Sequence, residues 1–397
     1  MDSILIFGGG INQLTLIESA KELGYRTIVI DPIESVPAKQ VADIFECVDP
    51  KDYDKTKELA LKYGVKGIVT CQMENPLLLM AKLATELNFI FPTEKAVLNA
   101  RNKFLMKECF IRNNVPCAKG KLVKQGDKVT SELCNEIGFP LIIKPVDSFS
   151  SRGVYKVNKI EEIESYLSNT KSFSSTGDVI IEEFMEGPEV SVESVTQNGV
   201  TTMIQITDKV ITPYPTAVEM AHIQPSFLSK EIKDQITELV KKAIVALELD
   251  NCASHAEVKI TTKGIKMVEL GARLGGDYIT SHLVPLSTGI NIEAAAIQIA
   301  MGKKPDLKKK FSKGAVIEYI LLEPGKKISE IKDWRNVKVP SAVKQAFVFC
   351  KAGDVVLPVT DSAKRAGCVI VQADNRKGAV EIAQLASEEL KDKISLS

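Results

Sequence analysis

Through residues 1–93, short apolar runs alternate with helix-length amphipathic segments, and no other feature of the chain narrows its fold as much. Ile4–Phe7 reads as a buried strand, Gly8-Gly9-Gly10 as a tight turn, and Asn12–Leu23 as a helix closed by Gly24. A second strand, Arg26–Ile30, ends at Asp31-Pro32, and a third, Gly67–Thr70, precedes a helix at Pro76–Leu87. Strands and helices in this order build a parallel sheet, because each crossover lays a helix against one face. Pro92-Thr93 closes the region, with Thr93 placed to cap a helix starting at Glu94.

Beyond that point the pattern changes. A helix rich in Lys and Asn is expected over Glu94–Asn113, followed by strand-like runs at Leu141–Lys144, Val154–Val157, Val179–Glu183, Val190–Val195 and Thr201–Ile206. Helix Lys230–Leu247 leads to two further strands and a glycine-rich loop, helix Ile292–Met301 ends at Gly302, and a lysine-rich link follows at Lys303–Lys313. A chain of 397 residues exceeds what one core holds. Three regions are expected: 1–93, 94–305 (lobes of about 94–185 and 186–305) and a C-terminal α+β region over 306–397. Lys+Arg and Asp+Glu both total 51, so no net field favours nucleic acid or an anionic membrane. Eight cysteines, with no CxxC pair, point away from a disulfide framework and towards a reducing compartment. The start has no basic signal region, and no run nears the roughly 20 apolar residues that span a bilayer. A cytoplasmic globular protein is the expectation.

The pair Glu257 and Glu269 carries the most chemical information. The strands Ala253–Ile260 and Ile265–Leu270 join through Thr262-Lys263-Gly264, a hairpin turn. Matching their apolar faces pairs Val258 with Val268 and Ala256 with Leu270, which sets Glu257 opposite Glu269 on the other face. Opposed carboxylates with Cβ atoms about 5 Å apart repel. A divalent cation between them relieves that repulsion, and hard oxygen donors favour Mg²⁺ or Mn²⁺. The competing reading is two solvated glutamates on an exposed face, and a slip of one residue would separate them. In the following loop, Gly271-Ala-Arg273-Leu-Gly275-Gly276-Asp277, the Arg273 fork suits a carboxylate or phosphoryl group, or else caps a helix or pairs with Asp277.

Lys144 ends an apolar run, Phe139-Pro-Leu-Ile-Ile-Lys144-Pro145, where an ammonium needs an anionic partner. The Asp147–Gly153 run after it is small and polar, able to offer N–H groups and hydroxyls to phosphate, although a connecting loop reads the same way. It is not a Walker A loop. Val179-Ile-Ile-Glu182-Glu183-Phe184-Met185-Glu186-Gly-Pro-Glu189 runs a strand into an acidic hinge. That hinge suits an adenine edge, with Glu189 placed for ribose hydroxyls, or is simply a β-turn. The glycine turn fails the dinucleotide spacing GxGxxG, since Gln13 stands where glycine is needed. Gly9 and Gly10 can still offer backbone N–H groups to a small anion.

Taken in order, these segments resemble the ATP-grasp superfamily over most of the chain. The resemblance rests on a Rossmann-like N-terminal region, Asn102-Lys103-Phe104, Phe-Pro-Leu-Ile-Ile-Lys144-Pro, the small-residue loop, Glu-Glu-Phe-Met-Glu-Gly-Pro-Glu189, and Glu257…Glu269-Leu-Gly-Ala-Arg273-Leu-Gly-Gly. It implies an α/β and α+β fold: a Rossmann-like domain, a two-lobed ATP-grasp domain and a small C-terminal domain. It implies ATP as cofactor, with Lys103 and Lys144 on the phosphates and Ser150, Ser151, Arg152 and Gly153 folding over them. Glu182, Glu183, Phe184 and Met185 would hold adenine and Glu189 the ribose, while Glu257 and Glu269 would bind Mg²⁺ (or Mn²⁺). Arg273 with Lys144 would be catalytic, steadying the phosphoryl group. Gly271 stands where the family often has asparagine, and His255, opposite it in this register, is a candidate replacement.

The implied activity is that of an ATP-dependent carboxylate–amine ligase: a carboxylic acid is activated as acyl-phosphate, and an amine displaces the phosphate. Expected partners are therefore a small-molecule acid and amine, with a homodimer implied by relatives. Expected substrate residues are Gly9, Gly10, Glu74, His222, Arg273, Gly275 and Gly276. Glu74 alternatively favours a helix dipole. His222 is expected in a loop before a helix, where a surface role competes, and Arg365 is a further candidate. The alternatives are an ATP-dependent carboxylase or carbamoyl-phosphate-forming enzyme, and a nucleotide-binding regulator without turnover.

Overall fold

Alternation within Ser3–Phe7 explains how the N-terminal region packs. Ile4 and Ile6 face one cluster with Leu16, Ile17, Ile292 and Ile297, whereas Leu5 and Phe7 face another with Leu77, Met80 and Leu83. Each such side chain contributes about 1.5–3 kcal/mol when fully buried, so a two-faced strand needs a helix layer on each side. The sheet is parallel throughout, in the order Ile44–Cys47, Arg26–Asp31, Ser3–Phe7, Val65–Thr70. One of its covering helices, Ile292–Ala300, comes from far along the chain, which seats this sheet on the remainder of the molecule. The computed structural model describes residues 1–149, 151–214, 216–334 and 341–397.

The helix expected over Glu94–Asn113 is two helices, Glu94–Arg101 and Lys103–Arg112. Asn102 is extended between them, and its side chain accepts from the Phe104 and Leu105 N–H groups at 3.0 and 3.1 Å. An asparagine cap of this kind is worth about 0.5–2 kcal/mol, enough to offset the break. The Lys103 N–H then donates to Val146 O at 2.7 Å, which docks the start of the second helix on the next sheet.

That sheet is small and antiparallel, in the order Gly120–Val123, Val179–Glu183, Leu141–Pro145, Tyr155–Val157. The large sheet has eight antiparallel strands, in the order Gly264–Gly271, Cys252–Thr261, Glu189–Gln197, Val200–Ile211, Glu219–Gln224, Gly314–Ile320, Gly367–Ala373, Val343–Val348. Strands from the C-terminal region thus extend it through the pairing of Ala221 with Glu318 and Gln224 with Ala315. Helix Arg376–Asp392 packs Ala379, Ala383 and Leu390 beneath these strands.

Two expectations need correction. His222 is not in a loop but within strand Glu219–Gln224, and it is buried. In the hairpin, Ala256 faces Leu270 and Glu257 faces Glu269 as expected, but Val258 faces Met267 rather than Val268. A bulge after Glu257 leaves one residue unopposed.

Candidate active site

Glu257 and Glu269 stand opposite one another on the Cys252–Thr261 and Gly264–Gly271 strands. Each already has an ammonium. Lys103 Nζ lies 3.1 Å from Glu269 Oε2, and Lys209 Nζ lies 2.8 Å from Glu257 Oε1. Burial would raise the Glu269 carboxyl, but Lys103 and Lys144 outweigh it and hold its pKa down to about 2. Glu257 moves the other way. Burial pushes it up, Lys209 opposes, and the neighbouring Glu189 and Glu269 carboxylates add to the rise. Among the described residues no three His, Cys, Asp or Glu side chains form a preassembled metal cage. The two carboxylates are hard oxygen donors and would fit a divalent cation such as Mg²⁺ or Mn²⁺.

The cleft beside this pair is lined by Lys103, Ser148, Glu74, His255, Glu269 and Arg273 among others. Lys103 Nζ also donates to Ser148 O at 2.8 Å. Ser148 Oγ is buried without a hydrogen-bond partner, so the start of the small-residue loop presents an unspent hydroxyl. Farther along, Ser151 and Gly153 both have positive φ, 56° and 73°. A Cβ at Gly153 would come within 2.9 Å of Phe173, so glycine is required there on two counts. Arg152 is folded back, its Nε donating to Phe149 O at 3.2 Å. Ser150 lies outside the described residues.

Lys144 and Glu182 come from neighbouring strands of the small sheet. Glu182 binds Lys144 through one oxygen and Lys107 Nζ at 2.8 Å through the other, with all three side chains nearly inaccessible. Burial would raise the Glu182 carboxyl, yet Lys107 and Lys144 hold it below the ordinary range. The Glu182 carboxylate is committed to Lys107 and Lys144, and it positions Lys144. Glu183 pairs with Lys266, and its N–H donates to Lys119 O at 2.9 Å, while the Phe184 N–H donates to Pro140 O at 3.1 Å. Of the hinge Glu183–Met185, the Met185 N–H is the donor left without a partner among the described residues. Lys156 lies over the Phe184 ring at 4.0 Å, and Tyr214 meets that ring edge-on. Glu189 is held by Lys209 and, at 3.5 Å, by Lys259.

Arg273 meets Glu74 from the loop that follows strand Val65–Thr70, Nε to Oε1 at 2.6 Å, and its Nη1 donates to Leu274 O at 3.0 Å. The pairing of Arg273 with Asp277 is thus excluded, because Asp277 binds Arg365 through both oxygens at 2.9 and 2.8 Å. Asp277 Oδ2 also accepts from His222 Nε2 at 3.1 Å. Burial would raise the Asp277 carboxyl, but Arg365 and His222 drive it far below the usual range. His222 Nδ1 remains buried with no partner. Arg365 lies 3.6 Å from the centre of the Tyr319 ring, so the C-terminal region clamps the glycine-rich loop.

The glycines of that loop are close-approach positions. A Cβ at Gly275 would lie 2.7 Å from His255 Nδ1 and 2.8 Å from Glu193 Oε1, and one at Gly271 would lie 3.0 Å from Glu74 Oε1. Gly276 has room, its nearest neighbour being Gln72 Oε1 at 3.5 Å. His255 faces Gly271 in the register, donates from Nδ1 to the buried Glu193, and directs Nε2 to within 3.9 Å of Glu257 Oε1. Gly9 does not offer its N–H to an anion, because Asp31 Oδ2 accepts it at 2.8 Å. Gly10 lies next to it at the carboxyl edge of the sheet. Sequence reasoning did not find Lys107, Lys209 or Glu193. Each acts through a partner distant in sequence, so no local spacing marks it.

The small sheet faces the acidic hairpin of the large sheet, with a Rossmann-like sheet alongside, an arrangement that fits the ATP-grasp resemblance of the sequence. Family models agree: residues 137–281 match the ATP-grasp domain, residues 1–101 the Ribonucleotide synthetase preATP-grasp domain and residues 319–394 the L-amino acid ligase C-terminal domain 2. Among curated relatives, the chain is 29% identical over 290 residues to the alanine–anticapsin ligase of Bacillus subtilis, covering 65% of this chain and 61% of that protein. Among solved structures, the L-amino acid ligase from Bacillus licheniformis superposes with a TM-score of 0.83 at 21% identity, over 100% of this chain and 98% of that one. Phosphoribosylglycinamide synthetase from Anaerococcus prevotii superposes with a TM-score of 0.78 at 23% identity, over 100% and 99%.

Proposed function

We propose that the protein is an ATP-dependent ligase that activates a small carboxylic acid as an acyl-phosphate and couples it to an amine or amino acid, releasing ADP and phosphate. The observation that carries this reading is the gathering of Lys103, Lys144, Glu257, Glu269 and Arg273 around one region. Two lysines, an arginine and an acidic pair match a triphosphate and its counter-cation in charge. Two of the three proteins named above are ligases by their own names, which supports the same class.

In this reading the Met185 N–H donates to the adenine edge and Glu189 accepts from the ribose. Lys103 leaves Glu269 for a phosphate oxygen, and Lys144, held in place by Glu182, meets the transferring phosphoryl group. Mg²⁺ or Mn²⁺ bound by Glu257 and Glu269 would supply charge neutralisation at the phosphates. Arg273, fixed by Glu74, faces the acid and the charge that develops on it. Such catalysis is chiefly positioning and electrostatic stabilisation. His222 Nδ1, with Nε2 committed to Asp277, is a free acceptor for a proton of the attacking amine. The loop around Ser151–Gly153 closes over the phosphates and keeps water from the acyl-phosphate. Glu74, Gly10, Gly275 and Gly276 line the substrate side, and the working unit is a homodimer.

The test is ADP release measured with acids and amines supplied separately and together. A ligase needs both. A bicarbonate requirement in place of an organic acid would assign a carboxylase, and nucleotide binding with no ADP release would assign a regulator. Glu269→Ala and Arg273→Ala are each expected to abolish acid-dependent ADP release while leaving the circular dichroism spectrum unchanged. Near-normal turnover in either variant removes that residue from the site.

A further inference from the structure

Lys209 meets more carboxylates than any other cation among the described residues, and the reaction scheme above gives it no task. It sits on strand Val200–Ile211 with its side chain buried. Its Nζ meets three carboxylates: Glu189, Glu257 at 2.8 Å and Glu219 at 3.5 Å. Of its three N–H donors, two are hydrogen-bonded, to Glu189 and Glu257, and Glu219 adds an ion pair. Burial alone would lower its pKa, but Glu189, Glu257 and Glu219 together hold it well above that of an ordinary lysine.

Its partners span two parts of the proposed site, because Glu189 is the ribose acceptor and Glu257 a cation ligand. Lys103 performs the matching task at Glu269, but differently. Lys103 lines the cleft and makes one carboxylate contact, so an incoming phosphate can draw it away. Lys209 lies deeper, and three carboxylates hold it in place.

We propose that Lys209 is a positioning residue that acts as a resident counter-ion at Glu257, tying that carboxylate to Glu189 so that a divalent cation binds with the nucleotide rather than ahead of it. Before nucleotide arrives, a dication approaching the acidic pair meets an ammonium on each carboxylate. Phosphate oxygens remove the Lys103 obstacle and supply the missing negative charge, which makes cation binding favourable in spite of Lys209. The inference rests on the ATP-ligase reading of the site.

The experiment uses the full chain and Mn²⁺ as probe, with free Mn²⁺ followed by electron paramagnetic resonance, in the presence and absence of a non-hydrolysable ATP analogue. The unaltered protein is expected to bind Mn²⁺ weakly alone and more tightly with the analogue. Lys209→Met is expected to bind Mn²⁺ alone more tightly by about tenfold or more, a factor within the range of ordinary site coupling, and to gain less from the analogue. A lysine with only a structural role would not increase metal affinity when lost. Lys209→Met combined with Glu219→Gln removes the ammonium together with one of its carboxylates. This charge-balanced pair carries the same expectation, and it is the variant to rely on if the single one does not fold by circular dichroism. Unchanged Mn²⁺ affinity without nucleotide in the folded variant, with analogue-dependent binding intact in the unaltered protein, overturns the role of Lys209 alone. Absence of analogue-dependent Mn²⁺ binding in the unaltered protein, or its survival in Glu269→Gln, overturns the underlying site reading and this proposal with it.

Discussion

Glu293 offers a test of the structure that is independent of catalysis. It lies in the first turn of helix Ile292–Ala300, where the helix packs on Leu14–Glu22, and it is 2% exposed. One carboxylate oxygen has no hydrogen-bond partner. Burial raises its pKa from 4.5 to about 7, with Thr15 opposing and Glu18 adding. The native state therefore holds its proton across a pH range in which the unfolded chain has already released it. The sign follows: protons bound in the native state exceed those in the unfolded state between 4.5 and about 7, so stability falls as pH rises through that window and levels off above it. At about 1.4 kcal/mol for each tenfold step, the ionised carboxylate costs the native state about 3 kcal/mol above the window. Glu293→Gln keeps the shape and removes the charge. Denaturant titrations should show it more stable than the unaltered protein by about 3 kcal/mol near pH 8 and by no more than about 1 kcal/mol near pH 5. A gain of equal size at both pH values, or none near pH 8, would refute the argument that burial of this carboxylate sets its titration.

Other consequences concern the site's ion pairs. Glu182→Gln leaves Lys107 and Lys144 buried without their shared counter-ion. A loss of about 3–5 kcal/mol is expected in denaturant titrations, and a loss below about 1 kcal/mol would mean the lysines find other partners. Arg365→Met strips Asp277 of its bidentate partner. Charge-assisted hydrogen bonds of this sort are worth about 1.5–3 kcal/mol, so both stability and amine-dependent turnover should fall, and unchanged turnover would separate the clamp from His222.

Much of the architecture could be read from local pattern because the deciding forces are local. A strand buried on both faces shows an unbroken apolar run, as at Ile4–Phe7, and its helical crossovers follow at once. The opposition of Glu257 and Glu269 followed from apolar alternation on the reverse face. What escaped was the exception within each rule. The bulge after Glu257 shifts the pairing of Val258 without altering composition. The break at Asn102 depends on two N–H groups that a side chain can reach only once the helix is interrupted. Strand Glu219–Gln224 was hidden because prolines flank it and because one of its two partner strands, Gly314–Ile320, lies some ninety residues later.

The same reasoning explains why Lys144 stood out and Lys107 and Lys209 did not, although all three are buried. Lys144 ends a run of apolar neighbours, so burial is imposed on it by residues adjacent in sequence and an anionic partner can be inferred. Lys107 occupies a helix next to Glu108, and Lys209 follows Asp208 at the end of an alternating strand, so both read as solvated. Their burial comes from strands and helices that meet only in the folded chain. Lys107 is covered by Glu182 of another sheet, and Lys209 by carboxylates of three other strands. The carboxylates are conspicuous in the sequence because they end or punctuate strands, whereas the cations that balance them arrive from elsewhere. The ionic balance of this site is therefore a tertiary property, and the half of it that sequence reading missed contains the residue on which ordered cation binding is proposed to depend.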